Sequence, residues 1–145
     1  MEQDSCEYTF AYQELIALIL LAIFLLPALR SARIDSNRSF FVARAEIWDV
    51  AAALNEFKST YKEIPLTNSA EIFKALYGSN PKGIVFLSRG MTNTDGQMID
   101  PWKMSYQIEI LQQTNFTILS AGRDRKFGNK DDVIFNSVSN GFVKP

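Results

Sequence analysis

Residues 15–29, LIALILLAIFLLPAL, hold no charged and no polar side chain, and this run limits the fold more than any other stretch of the chain. As a helix rising about 1.5 Å per residue it reaches about 22 Å, short of the roughly 30 Å hydrocarbon core of a bilayer. The preceding FAYQE, residues 10–14, lengthens the apolar segment and sets Glu14 at its margin. A helix apolar on every side does not suit an ordinary half-exposed position. Three placements compete: a membrane anchor, a cleaved secretory signal and a buried core helix. A secretory signal wants a basic start, whereas residues 1–14 carry Glu2, Asp4, Glu7 and Glu14 without Lys or Arg. The anchor is therefore the favoured reading. Arg30, Arg33, Arg38 and Arg44 follow the run; taken alone, that bias would place the C-terminal side in the cytoplasm.

Beyond the run the pattern becomes amphipathic. Phe40, Ala43, Ile47, Val50, Leu54, Phe57 and Tyr61 recur at steps of three and four, the spacing of one helical face. Arg44, Glu46, Asp49, Glu56 and Lys58 fall mostly off that stripe, which predicts packing on a sheet. A second stripe of Phe41, Ala45, Trp48 and Ala52 widens the apolar arc and calls for a second covering surface, such as a neighbouring subunit. Pro27 is the one proline inside the helical pattern and is expected to kink it or to free one backbone carbonyl. Ile64, before Pro65, is expected to end the helix.

The remaining residues alternate short signals. SAEIFKALYG reads as a short helix, with Ser69 as its cap and Gly78 as its end. NPKGIVFLSRG and a polar Gly/Asn/Thr loop follow. SYQIEIL and NFTILSAG alternate apolar and polar residues, and QQTN between them makes a hairpin. DVIF and GFVKP offer two more short strands. Trp102 and Tyr106 of DPWKMSY are expected to pack and turn a polar edge outward. The architecture is thus α+β, a long N-terminal helix with an apolar first half over a small antiparallel sheet of three or four strands.

Charge and composition exclude much. The net charge of −1 gives no electrostatic support for binding nucleic acid. With no histidine, Ser-His-Asp and Cys-His nucleophiles and nearly all transition-metal centres are ruled out. The lone Cys6 allows no intramolecular disulfide. The chain holds no nucleophile elbow, Walker loop or zinc-spaced cysteine set, so no enzyme is expected and no catalytic residue is assigned.

Three motifs together resemble the type IV pilin superfamily, in particular the major pseudopilin of type II secretion. FAYQELIALILLAIFLLPALRSAR is similar to a prepilin N-terminus: a Phe, a Glu four residues on, and an apolar helix with an internal proline. DPWKMSYQI resembles the family's Asp-Pro-Trp-Gly turn and following strand, with Lys103 in the glycine's place. SAGRDRKFGNKDDVI reproduces the family's Ser-x-Gly-x-Asp turn, with two further acids seven and eight residues after Asp124.

The resemblance implies a pilin fold and a domain plan. Residues 1–9 are a leader, 10–33 the hydrophobic transmembrane and assembly helix, 34–65 its amphipathic continuation, 66–99 a connector with a short helix, and 100–145 the sheet and a calcium loop. A prepilin peptidase would cut between Thr9 and Phe10, followed by methylation of the new terminus. Glu14, costly to bury unpaired, would then meet the free amine of a neighbouring subunit's Phe10 and set the filament register.

In the loop, Asp124, Asp131 and Asp132 would be calcium ligands together with backbone carbonyls, and Gly122 and Gly128 would allow the tight turns. The residues by themselves leave a second reading open, in which Arg123, Arg125, Lys126 and Lys130 pair with the acids and Asx turns close the loop. The implied partners are further copies of the chain, minor pseudopilins, the inner-membrane assembly platform, the peptidase and the membrane. The implied location is the inner membrane, single-pass, with the C-terminal domain periplasmic, and then the pseudopilus or a surface filament. The alternative is a non-polymerising, membrane-anchored extracytoplasmic binding module.

Overall fold

The structure is a computed structural model. It describes the backbone of residues 4–64, 68–112 and 114–145, and the side chains of these residues apart from 4–16 and 24–36. The fold is α+β. Helix α1 (Asp4–Tyr61) and helix α2 (Ser69–Leu76) precede strands β1 (Gln107–Leu111), β2 (Asn115–Ser120), β3 (Val133–Asn136) and β4 (Gly141–Val143). The chain divides into two compact units, Met1–Asn37 and Arg38–Pro145.

In the first unit the described side chains, residues 17–23 and Asn37, are exposed, and those of 17–23 are apolar, among them Leu18, Ile19, Leu20, Leu21 and Ile23. Among the described residues no helix is long and apolar enough to cross a membrane. The side chains of Thr9, Phe10, Glu14 and Pro27 lie outside the described residues.

The second unit holds the core. The strands pair antiparallel in the order β1-β2-β3-β4. Register brings Ile108 opposite Ile118, Ile118 opposite Phe135, and Phe135 opposite Phe142, one apolar row across the sheet. Alternation along each strand makes this possible, since residues two apart share a face. Against this sheet α1 buries Ala43, Ile47, Val50, Leu54 and Phe57 to within 4 % exposure. The two ends of the predicted stripe are the exceptions: Tyr61 is half-buried, and Phe40 stays 39 % exposed, its ring near the guanidinium of Arg44. Trp48 of the second stripe is half-exposed, but its edge meets Phe135 and Phe142 at centroid distances of 5.0 and 6.0 Å.

Two local details add to or change the expectation. α1 ends at Tyr61, directly before KEIP, and Lys62 turns there to φ 70 and donates its N–H to the Lys58 carbonyl. Pro65 lies outside the described residues. The cap of α2 is Asn68, whose side chain accepts from the Ala70 N–H at 2.8 Å. Ser69 is used differently: its hydroxyl accepts from the Ile108 N–H at 3.0 Å and donates to the Ile108 carbonyl at 3.3 Å. That pair of bonds covers the free edge of β1, which a sheet otherwise leaves unpaired. Gly78, at φ 108, does end α2 as its sequence position predicts.

Candidate functional site

Two features stand apart from the packing. One is the loop from Ala121 to Asp132 between β2 and β3, and the other is the exposed arc of α1.

The loop opens on a buried tie. The Ser120 hydroxyl donates to Asp100 Oδ2 at 2.6 Å, and both residues are fully buried. Asp100 Oδ1 accepts from the Trp102 and Met104 N–H groups, each at 2.9 Å. The DPW turn is therefore an Asp-closed turn, fastened to the foot of the loop. Lys103 completes it at φ 72, the left-handed region that favours glycine. Trp102 is half-buried in this turn.

Gly122 then lets the loop close. It sits at φ +65, and a Cβ there would lie 2.0 Å from the Asp131 carbonyl oxygen. No side chain fits that approach. Gly128, at φ +90, has open space around it, so only its backbone conformation asks for glycine.

The three aspartates have different surroundings. Asp124 is exposed; its Oδ1 accepts from the Lys126 N–H at 2.9 Å and its Oδ2 from the Asn129 amide at 3.0 Å. Asp131 is exposed, and its N–H donates to Asn129 Oδ1 at 2.8 Å. Asp132 is 5 % exposed; its Oδ2 accepts from the Gly128 and Asn129 N–H groups at 2.7 and 3.3 Å. Its Oδ1 is buried without a hydrogen-bond partner. Among the described residues no three His, Cys, Asp or Glu side chains gather into a group that could hold a metal ion.

The residue that organises the loop is Asn129, which the sequence reading did not single out. Its amide also donates to the Lys126 carbonyl at 2.6 Å, so one side chain spans three segments. The signal was present as a Gly-Asn pair at residues 128–129, a turn-forming dipeptide whose amide can bond its own backbone. Asx turns at Asp124 and Asn129 close the loop, which is the Asx-turn half of the second reading; the loop bonds described here include no Arg or Lys pairing with these acids. Among the described residues the Asp132 Oδ1 is the one side-chain polar atom left buried without a hydrogen-bond partner.

On α1 the second stripe is bare. Phe41 is 70 % exposed and Trp48 46 %, and Ala45 and Ala52 are exposed beside them. The helix is held to the sheet side by one polar bond that the periodicity did not reveal. The fully buried Tyr106 donates its hydroxyl to Glu46 Oε2 at 2.6 Å. Burial raises the Glu46 pKa above 4.5, the Tyr106 bond lowers it, and the charges of Asp100 and Asp49 raise it again. Burial, the Glu46 bond and the charges of Glu46 and Asp100 push the Tyr106 hydroxyl far up, so it stays a donor.

A comparison with protein families matches residues 33–137 to the type II secretion system protein G family. No curated protein and no solved structure matches the chain. The match spans the amphipathic part of α1, the connector, the DPW turn, the first three strands and the loop, the elements whose geometry is described above. The chain belongs to the type II secretion system protein G family, the major pseudopilins.

Proposed function

We propose that this chain is a structural subunit that polymerises through its N-terminal helix into a pseudopilus or pilin-like filament supporting protein secretion across the outer membrane. The observation that carries the reading is the bare arc of α1, where Phe41 and Trp48 are 70 % and 46 % exposed on a helix whose opposite face is core. Large apolar patches on a folded surface mark interaction sites, and membership of the family makes a secretion assembly the natural partner. In this reading the subunit breaks and forms no covalent bond. Its partners are copies of itself, minor pseudopilins, the assembly platform and the peptidase, and Glu14 pairs with the amine of a neighbour's Phe10. Its anchor lies in the inner membrane, with residues 38–145 on the periplasmic side.

The experiment is the mass of the mature N-terminus after expression in a host with a prepilin peptidase. A methylated terminus at Phe10 is the expected result. Retention of Met1 would refute polymerisation through this register and leave the anchored binding module.

For the loop we infer a structural calcium ion held by Asp124, Asp131 and Asp132 together with backbone carbonyls; the three carboxylates would have to draw together to hold it, since in the arrangement described above they form no metal-holding group. When bound, the ion would tie the β2–β3 loop to the sheet. The support is the buried, partnerless Asp132 Oδ1. The test is thermal unfolding of the wild type and of Asp132→Asn with calcium and with chelator. The wild type is expected to melt higher in calcium and the variant to show no such difference. Equal melting of the wild type in both conditions would leave the loop to its Asx turns alone.

A further inference from the structure

Two grooves flank the bare arc of α1, and they differ in charge. One, of about 610 Å³, lies between α1 and the β3–β4 end of the sheet, lined by Phe40, Arg44, Lys130, Phe142 and Lys144 among others. Its one acid is Asp132, whose Oδ2 is already taken by two loop N–H groups. Arg44 stacks its guanidinium 4.1 Å from the centroid of Phe142, which leaves the in-plane N–H donors free to meet a carboxylate. The other groove, of about 240 Å³, lies between α1 and the segment Phe86–Arg89, and includes Asp49, Ala52, Glu56 and Phe86. Arg89 lines the same groove, so against the two carboxylates one negative charge remains in excess.

Both grooves belong to the unit Arg38–Pro145. At about 100° per residue, Arg44 and Asp49 point about 140° apart around the helix. Phe41, Ala45, Trp48 and Ala52 fill the arc between them and are exposed. The basic groove takes α1 residues near 42 and the acidic one residues near 52. Ten residues at about 1.5 Å each set them about 15 Å apart along the axis. The basic groove of one copy can meet the acidic groove of another in two ways: about a two-fold axis, which closes a dimer, or head-to-tail, where the axial offset makes the repeat open-ended. The filament reading selects the second.

We propose that the basic groove between α1 and β3–β4 receives the acidic flank of α1, Asp49 and Glu56, of a second copy of this chain, with Phe41 and Trp48 covered in the same contact. The proposal rests on the filament reading above and specifies which two surfaces meet and the axial step between them. Opposite charges fix which surfaces meet, while the aromatic arc supplies the area removed from water.

The test uses the full-length chain in a Cys6→Ser background, with two populations in one membrane, one carrying Lys130→Cys and the other Glu56→Cys. Both positions are exposed, so neither change touches the core. Oxidation is expected to give a mixed disulfide dimer at least about tenfold above either like-with-like dimer, and to fall as salt screens the charges. Charge reversal at Lys130 and Lys144 to Glu is expected to lower sedimentable assembly about tenfold, and Asp49→Lys with Glu56→Lys in the same chain to restore it. Equal or preferred like-with-like dimers would overturn the proposal. Filaments that sediment without the mixed cross-link would overturn this docking and leave the filament reading standing. A chain that stays monomeric in the membrane would overturn both.

Discussion

Replacing Tyr106 by Phe removes one oxygen from the core and nothing else, so its effect measures the polar tie between sheet and helix. Tyr106 is fully buried and donates to Glu46 Oε2 at 2.6 Å. A hydrogen bond to an ionised group contributes about 1.5–3 kcal/mol, and Glu46 is only half-buried, so about 2 kcal/mol is expected at neutral pH. With a urea slope of about 1.5 kcal/mol/M, the unfolding midpoint of the 38–145 fragment falls by about 1.3 M.

The loss also depends on pH. The folded-state pKa of Glu46 lies above 4.5, chiefly through burial, so the folded state binds this proton more tightly than the unfolded chain. The contribution of Glu46 to stability is therefore greatest below 4.5 and declines as pH rises through the raised folded value. Tyr106 moderates that decline, because its bond favours the carboxylate form. In Tyr106→Phe the Glu46 pKa rises further and stability falls more steeply with pH. Below pH 4.5 only a neutral bond is missing, and the deficit shrinks to about 1 kcal/mol. Urea melts of both proteins at neutral and acidic pH decide the matter. An equal midpoint shift at both, or a neutral shift below about 0.3 M, would refute the assignment of that energy to a charged bond.

Three substitutions test the backbone reading. Gly122→Ala drives a Cβ to 2.0 Å from the Asp131 carbonyl oxygen at φ +65, and is expected to cost more than about 3 kcal/mol by chemical denaturation. Gly128→Ala, with open space at φ +90, is expected to cost only about 1–2 kcal/mol; equal losses at the two sites would refute the close-approach argument. Lys103→Gly relieves a left-handed lysine at φ 72 and is expected to raise stability by about 0.5–1 kcal/mol, read as a melting temperature a few degrees higher. A lower melting temperature would show that the Lys103 side chain contributes more than its backbone costs.

Much of this fold is legible because apolar periodicity is a direct record of burial. The Ala43, Ile47, Val50, Leu54 and Phe57 series is one face of a helix, and it is the face that packs. Tyr106, Ile108, Phe116, Ile118 and Ser120 alternate, and the same residues turn inward. Where the reading missed, a residue had two local uses and distant geometry selected one. Ser69 can cap a helix, but α2 and β1 meet where its hydroxyl bonds Ile108, and the cap passes to Asn68. Phe40 lies on the packing stripe by spacing, yet the sheet ends at β4 and leaves its ring beside Arg44.

In the loop, the sequence could count three carboxylates but not say which groups each one faces. Asn129 takes Asp124, the Lys126 carbonyl and the Asp131 N–H, while Asp132 alone keeps a free buried oxygen.

By itself the sequence determined the order of elements, the helix face that must be buried, the strand faces that meet it and the family to which the chain belongs. Those depend on patterns local in the chain: 3.6 residues per helical turn, two per strand, and short motifs of fixed spacing. The tertiary structure alone decided which polar groups become partners across many residues. It joined Glu46 to Tyr106, Asp100 to Ser120 and Ser69 to Ile108, and it set a basic groove and an acidic one on either side of a single helix. Side-chain hydrogen bonds and charge surfaces depend on distances of a few ångströms between segments far apart in sequence, and no local periodicity encodes them.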